Sequence, residues 1–143
     1  MVSHRSISII VYSNEFGRIH YALSTAAAAL ATNTPVTLMF TMGSIQAVTI
    51  DVSGNPQWKE LATNNQHDSA DTQDRINQQR GVAGFEELLD ACKSMGGHFL
   101  VCEMGLKSAA IEKQQLRTDM DFSPGGLVTF LNSAKENGHI LFI

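Results

Sequence analysis

The sharpest chemistry in this sequence lies where a cysteine ends an apolar run beside a carboxylate. Cys102 closes His98-Phe99-Leu100-Val101-Cys102 and is followed at once by Glu103-Met104-Gly105, where a helical pattern begins. A thiol at such a junction is expected near backbone N–H groups that have no partner in the first helical turn. These donors favour the thiolate, raise its reactivity at neutral pH and can hold an anionic adduct such as a persulfide. The alternative for Cys102 is a small buried hydrophobe, a common state of a free thiol. Glu103 either orients a ligand or carries a proton, or it faces water or a neighbouring subunit. Its charge opposes ionisation of an adjacent thiol.

The other candidates sit at the ends of earlier apolar runs. Asn14 and Glu15 follow Ile7-Ser8-Ile9-Ile10-Val11-Tyr12, and Gly43 follows Val36-Thr37-Leu38-Met39-Phe40-Thr41. Each either lines a site or forms a turn. Cys92 shares an apolar helical face with Leu88, Leu89 and Met95, which reads as core packing. A Cys92–Cys102 disulfide is not expected, because a helix interior and a strand tip would have to reach bonding geometry. Lys107 and Lys113 read as solvated helix residues and His98 as a strand-entry residue. His20 and His67 have no partner identifiable in the sequence. The sequence contains no Gly-x-Gly-x-x-Gly fingerprint, Walker A loop, Gly-x-Ser-x-Gly elbow or Cys-x-x-Cys pair.

The elements that must position these residues alternate. The β-branched run over 6–12 predicts a strand buried on both faces. The Ala-rich stretch over 17–31, with Ile19, Leu23, Ala26, Ala27 and Leu30 in helical register, predicts a helix that can lie close to a sheet. Asn33-Thr34-Pro35 stops it, and 36–41 predicts the second strand, completing a βαβ unit with parallel pairing. Residues 45–52 suit a short helix or an edge strand. Residues 53–80 are strongly polar, with Trp58, Leu61 and Ile76 as the substantial apolar groups. A structureless connection of that length is uncommon in a compact domain, so partial helix, a mobile lid or surface elaboration is expected there.

Order resumes with a helix from residue 82 that Gly96-Gly97 stops, and then the strand 98–102. A helical pattern covers 104–116, a very short strand suits 120–122, a helix covers 126–137 and a strand covers 139–143. The order implies a three-layer α/β sandwich around a parallel sheet of four or five strands, within one domain. Ligands in such folds sit beyond the carboxyl ends of the strands. Those ends are the segments carrying Asn14, Gly43 and Cys102-Glu103.

Composition agrees with this class. The chain has 143 residues, a hydrophobic fraction of 43% and a formal net charge of -4, which gives no electrostatic footprint for nucleic acid or an anionic membrane. No apolar run is long enough to span a bilayer, and 7–12 is too short for a secretory leader. Two cysteines in a chain with a good core suit a reducing compartment, and a cytoplasmic location is expected.

The segment Gly84-Phe85-Glu86-Glu87-Leu88-Leu89-Asp90-Ala91-Cys92-Lys93-Ser94-Met95-Gly96-Gly97-His98-Phe99-Leu100-Val101-Cys102-Glu103-Met104-Gly105-Leu106 resembles the DsrE/DsrF-like sulfur-relay family, particularly its small members labelled predicted peroxiredoxins. The opening βαβ unit and Gly125-Gly126-Leu127 before the last helix extend the resemblance to nearly the whole chain outside residues 53–80. It implies a flavodoxin-like sheet, assembly into homo-oligomers and a site near subunit boundaries. It also implies transferred sulfur held as a persulfide on Cys102, with Glu103 and the strand-tip backbone in support. The implied partners are a thiol- or persulfide-bearing protein or a small-molecule sulfur donor. No metal or organic cofactor is implied. A non-catalytic binding or regulatory protein on the same scaffold is the alternative.

Overall fold

A computed structural model describes residues 5–65, 68–134 and 138–143. Five strands, β1 (Ser6–Val11), β2 (Val36–Phe40), β3 (His98–Cys102), β4 (Phe122–Gly125) and β5 (Gly138–Phe142), form one sheet in the order β4-β3-β2-β1-β5. Every neighbouring pair is parallel. The helices are α1 (Phe16–Ala31), α2 (Ala70–Gln79), α3 (Phe85–Ser94), α4 (Glu103–Ser108) and α5 (Leu127–Ser133). The parallel α/β sandwich expected from the alternation of elements is therefore the observed architecture.

Local chemistry sets the element ends. Glu15 caps α1 by accepting hydrogen bonds from the Gly17 and Arg18 N–H groups at 2.9 and 2.7 Å. Asn33, in the left-handed region at φ 61°, ends the same helix. The helical pattern over 104–116 breaks earlier than expected. Ala110 takes φ 54° without being glycine, and Ile111 N–H turns back to the Leu106 carbonyl at 2.9 Å. The remainder becomes a 3₁₀ turn at Lys113–Gln115. Residues 45–52, expected as a short helix or an edge strand, begin within a 3₁₀ helix, Met42–Val48.

The two faces of the sheet are covered unequally. Ile9, Val11, Leu38, Phe40, Phe99 and Val101 point into the large core that contains Phe16, Ile19, Leu23, Leu89 and Cys92 of α1 and α3. The alternate residues Met39, Leu100 and Cys102, with Ile10 partly buried, form a small second cluster closed by Phe130 of α5. Connections from β1 through β4 step in one direction across the sheet, while β4 to β5 steps back over its full width. Right-handed crossovers therefore put the last helix on the opposite face. At seven residues, α5 spans about 10 Å, against about 19 Å between the outer strands. Tyr12, Ile140 and Phe142 stay exposed beside it.

The polar segment 53–80 packs on the large-core side. Trp58 is 2% exposed and stacks on Phe85 with ring centroids 4.7 Å apart; Phe16 lies 5.9 Å away. Phe16 N–H donates to the Ala62 carbonyl at 2.8 Å. In α2, Asp74 is buried and accepts from Phe85 N–H at 2.9 Å, which caps α3. This segment supplies the aromatic floor and the cap for two helices, and its described residues do not cover Cys102.

Candidate functional site

The carboxyl ends of β1, β2 and β3 meet through close backbone contacts. A Cβ on Gly43 would lie 2.8 Å from the Asn14 Cβ, so the tips of the first two strands touch only because residue 43 is glycine. A Cβ on Gly105 would lie 2.7 Å from Met42 N, which fixes α4 against the Met42–Val48 turn. Ser44, fully buried, donates its hydroxyl to the Val11 carbonyl and accepts from Thr41 N–H at 3.0 Å. It ties the ends of β1 and β2 together. A lone serine in a turn gave no sign of this in the sequence.

Cys102 ends β3 in register with Gly125 and occupies the N-cap position of α4. Its side chain makes no capping hydrogen bond. Of the two readings of Cys102, a thiol beside free amide donors or a small buried hydrophobe, its burial agrees with the second. Cys102 is 1% exposed, packed with Met39, Leu100 and Phe130 on the face opposite α1 and α3. The parity of β3 is the reason: Phe99 and Val101 face the large core, so Leu100 and Cys102 must face the other way.

Glu103 points elsewhere. It is exposed and lines two neighbouring clefts of about 550 and 440 Å³ with Leu106 and Lys113; Cys102 lines neither. Asn14 and Gly43 share a crevice of about 510 Å³ with Tyr12, Arg18 and Phe142, at the point where strand order reverses between β1 and β5. Gly43 also borders a groove of about 1050 Å³ lined by Gln46, Gln57, Gln114 and Gln115. Both Glu15 carboxylate oxygens are engaged in capping α1. The structure thus brings Asn14 and Gly43 together in one crevice, while Glu103 lines other clefts and Cys102 is enclosed.

Both cysteines are free. Cys92 is fully buried between α1 and α3, donates to the Leu23 carbonyl at 3.5 Å, and burial pushes its thiol up to about 11. That is an inert core thiol. His20, without a partner in the sequence, is buried and pairs its Nε2 with the Ala83 carbonyl at 2.8 Å. His98 pairs with the Ser123 hydroxyl at 2.8 Å. His67 lies outside the described residues.

The strongest charge cluster was not legible in the sequence. The Arg117 guanidinium makes two hydrogen bonds to Glu86, at 2.6 and 2.7 Å, and two to Asp119, at 3.0 and 2.8 Å. Trp58 Nε1–H also donates to Glu86 at 2.6 Å. Burial works to raise the Glu86 carboxyl, but the Arg117 and Trp58 hydrogen bonds outweigh it and hold the group below its ordinary range. Hydrogen bonds from Arg117 likewise lower Asp119, and the same pairings raise Arg117. The cluster joins residues distant in the chain and serves as a structural clamp. Among the described residues, no group of three or more His, Cys, Asp or Glu could hold a metal ion. Among the described residues, no helix is long and apolar enough to cross a membrane.

A profile of the DsrE/DsrF-like family matches residues 6–142. Among solved structures, the chain is similar to MTH1491, a protein of unknown function from Methanobacterium thermoautotrophicum. That match has a TM-score of 0.62 and 10% identity, and covers 99% of this chain and 100% of the other. It is also similar to the ychN protein from E. coli, with a TM-score of 0.59 and 14% identity over 97% of this chain and 99% of the other. At such identities these likenesses speak for the fold. No curated protein sequence gives a significant match.

Proposed function

This chain belongs to the DsrE/DsrF-like family, and from that premise we propose that it is a homo-oligomeric sulfur carrier acting through Cys102 as one domain. The observation that supports this reading is the placement of the two thiols. Cys92 is locked in the main core, whereas Cys102 sits at the carboxyl edge of the sheet, at the β3–α4 junction, under a single short helix. The Cys102 thiolate attacks the outer sulfur of a persulfide donor. A new S–S bond forms at Cys102, the donor S–S bond breaks, and the donor leaves as a thiolate. An acceptor thiolate then removes that sulfur by the same exchange, and Cys102 returns as a thiolate. The two steps need no net oxidant. Asn14, Glu15, Gly43 and Glu103 remain the proposed surroundings of donor or acceptor at the same sheet edge. A thiol- or persulfide-bearing protein, or a small-molecule sulfane donor, is the proposed partner, and the cytoplasm the proposed compartment.

The oligomer is proposed from the exposed apolar side chains Tyr12, Ile140 and Phe142, which the short α5 leaves open at the β1–β5 side of its face. Light scattering of the purified protein and of Phe142→Asp tests it: an assembly that dissociates in the variant supports the reading, and a wild-type monomer refutes it.

The second reading, a non-catalytic binding or regulatory protein, draws on the enclosure of the Cys102 sulfur. Intact mass after incubation with sulfane-sulfur donors separates the two. Gain of one sulfur atom by the wild type and by Cys92→Ser, but not by Cys102→Ser, supports carriage. No adduct with any donor, or an adduct retained in Cys102→Ser, favours the binding reading.

A further inference from the structure

We infer that α5 is a lid over Cys102, latched by Phe130 and hinged at Gly125-Gly126, and that sulfur is exposed only when this helix lifts as a unit while the rest of the sheet stays folded. The inference rests on the sulfur-carrier reading for its purpose, although its geometry stands apart from it. Four features of the chain carry it. Phe130 is fully buried and packs in one cluster with Met39, Leu100 and Cys102. It is the sole buried residue of the helix, since Leu127, Val128 and Leu131 are 44%, 74% and 54% exposed. The cover is therefore held to the sheet through one large side chain.

The other features concern the hinge and the main core. Gly125 takes φ 147°, a backbone state that side-chain-bearing residues rarely adopt, and a Cβ there would lie 2.8 Å from Thr129 Oγ1. Gly126 follows with nothing within 4 Å of the position its Cβ would take. Two successive glycines at the join of β4 and α5 give the helix rotational freedom that ordinary residues would remove. The large core formed by α1, α3 and the opposite sheet face contains no residue of α5. Lifting the helix exposes the small cluster and leaves that core in place, which is the pattern of a local opening well below the free energy of global unfolding.

Closed, the lid excludes donors, adventitious thiols and water from the sulfur. Open, it presents Cys102 to a partner. A persulfide formed during one opening is then sheltered until the next, so carriage and release are both gated by one equilibrium.

Maleimide labelling of the native protein, resolved by peptide mass for Cys102 and Cys92 across a series of low urea concentrations, tests this. The lid requires Cys102 to label at least about tenfold faster than Cys92, with a shallower urea dependence than global unfolding. Phe130→Ala accelerates Cys102 by at least about tenfold, because a deleted core aromatic weakens the latch. Phe130→Leu, which retains an apolar side chain, gives a smaller acceleration in the same direction should the alanine variant not fold. Gly126→Ala has room for its methyl and slows Cys102 by about two- to fivefold through loss of hinge freedom. Labelling of both cysteines together, with the urea slope of global unfolding, overturns the lid. So does a fast Cys102 rate that none of the three variants changes. Maleimide is not a sulfur donor, so a gated Cys102 that takes up no sulfur leaves the lid standing and removes only the carrier reading.

Discussion

Replacing Arg117 with methionine tests how the Glu86–Arg117–Asp119 clamp holds the polar segment, α3 and the connection before β4 together. Arg117 is nearly buried, its side chain 9% exposed, while the carboxylates it binds are 47% and 58% exposed. Methionine keeps much of the aliphatic stem and removes four hydrogen bonds. Charge-assisted hydrogen bonds contribute about 1.5–3 kcal/mol when desolvated, whereas exposed ion pairs contribute about 0–1 kcal/mol. Half-exposed carboxylates rehydrate once the arginine is gone, and Glu86 keeps its bond from Trp58. About 1 kcal/mol for each carboxylate, or about 2 kcal/mol in all, is the expected loss near pH 7. Both carboxyl groups are held below their ordinary values of 4.5 and 3.8. Their stabilisation is therefore complete above those values and disappears as pH falls through the lowered, folded-state ones. The deficit of Arg117→Met should shrink steadily from about pH 5 downward. Urea unfolding followed by the fluorescence of Trp58, the single tryptophan, measures it. A deficit that stays the same near pH 3 as near pH 7, or one below about 0.5 kcal/mol at neutrality, refutes the reasoning.

Two further outcomes follow from the same packing. Asp74→Ala removes the cap on α3 and strands the Phe85 N–H in a buried place, so urea unfolding should show a loss of about 1–2 kcal/mol. An Asp74→Asn variant, which keeps an acceptor, should lose less. Gly105→Ala sets a methyl 2.7 Å from the Met42 backbone nitrogen, which cannot yield as a side-chain end could. Thermal unfolding should show a loss of about 1–3 kcal/mol from that overpacking, and an unchanged midpoint would mean that α4 is not pinned against the Met42–Val48 turn.

Much of the fold was legible because parallel strands buried on both faces are near-continuous apolar runs, as at Ile7 to Val11, interrupted by Ser8, and at Phe99 to Cys102. That same continuity hid the site. A strand buried on both faces shows no alternation, so nothing in its pattern said which way Cys102 pointed. The crossover rule could have supplied the answer, because a final strand returning across the sheet isolates α5 on the second face. Helix ends were less legible where an unusual residue took a left-handed conformation: Asn33 is a common choice, but Ala110 is not, and the helix expected to run to 116 stops at Ser108. The helix expected over 126–137 is α5, described as Leu127–Ser133, and 135–137 lie outside the described residues. Long-range polar pairs such as Asp74 with Phe85 N–H and Arg117 with Glu86 leave no mark in local spacing. The polar composition of 53–80 left partial helix, a lid or surface elaboration open; the segment carries α2, and a few anchors, chiefly Trp58, Leu61, Ala70 and Asp74, are buried in it.

Peptide mass analysis after exposure to a sulfane-sulfur donor addresses the proposed function most directly. A carrier gains one additional sulfur atom on the peptide containing Cys102, absent from the peptide containing Cys92 and released by an added thiol. Donor-treated protein whose Cys102 peptide keeps its original mass, under conditions where maleimide does reach that cysteine, would contradict it.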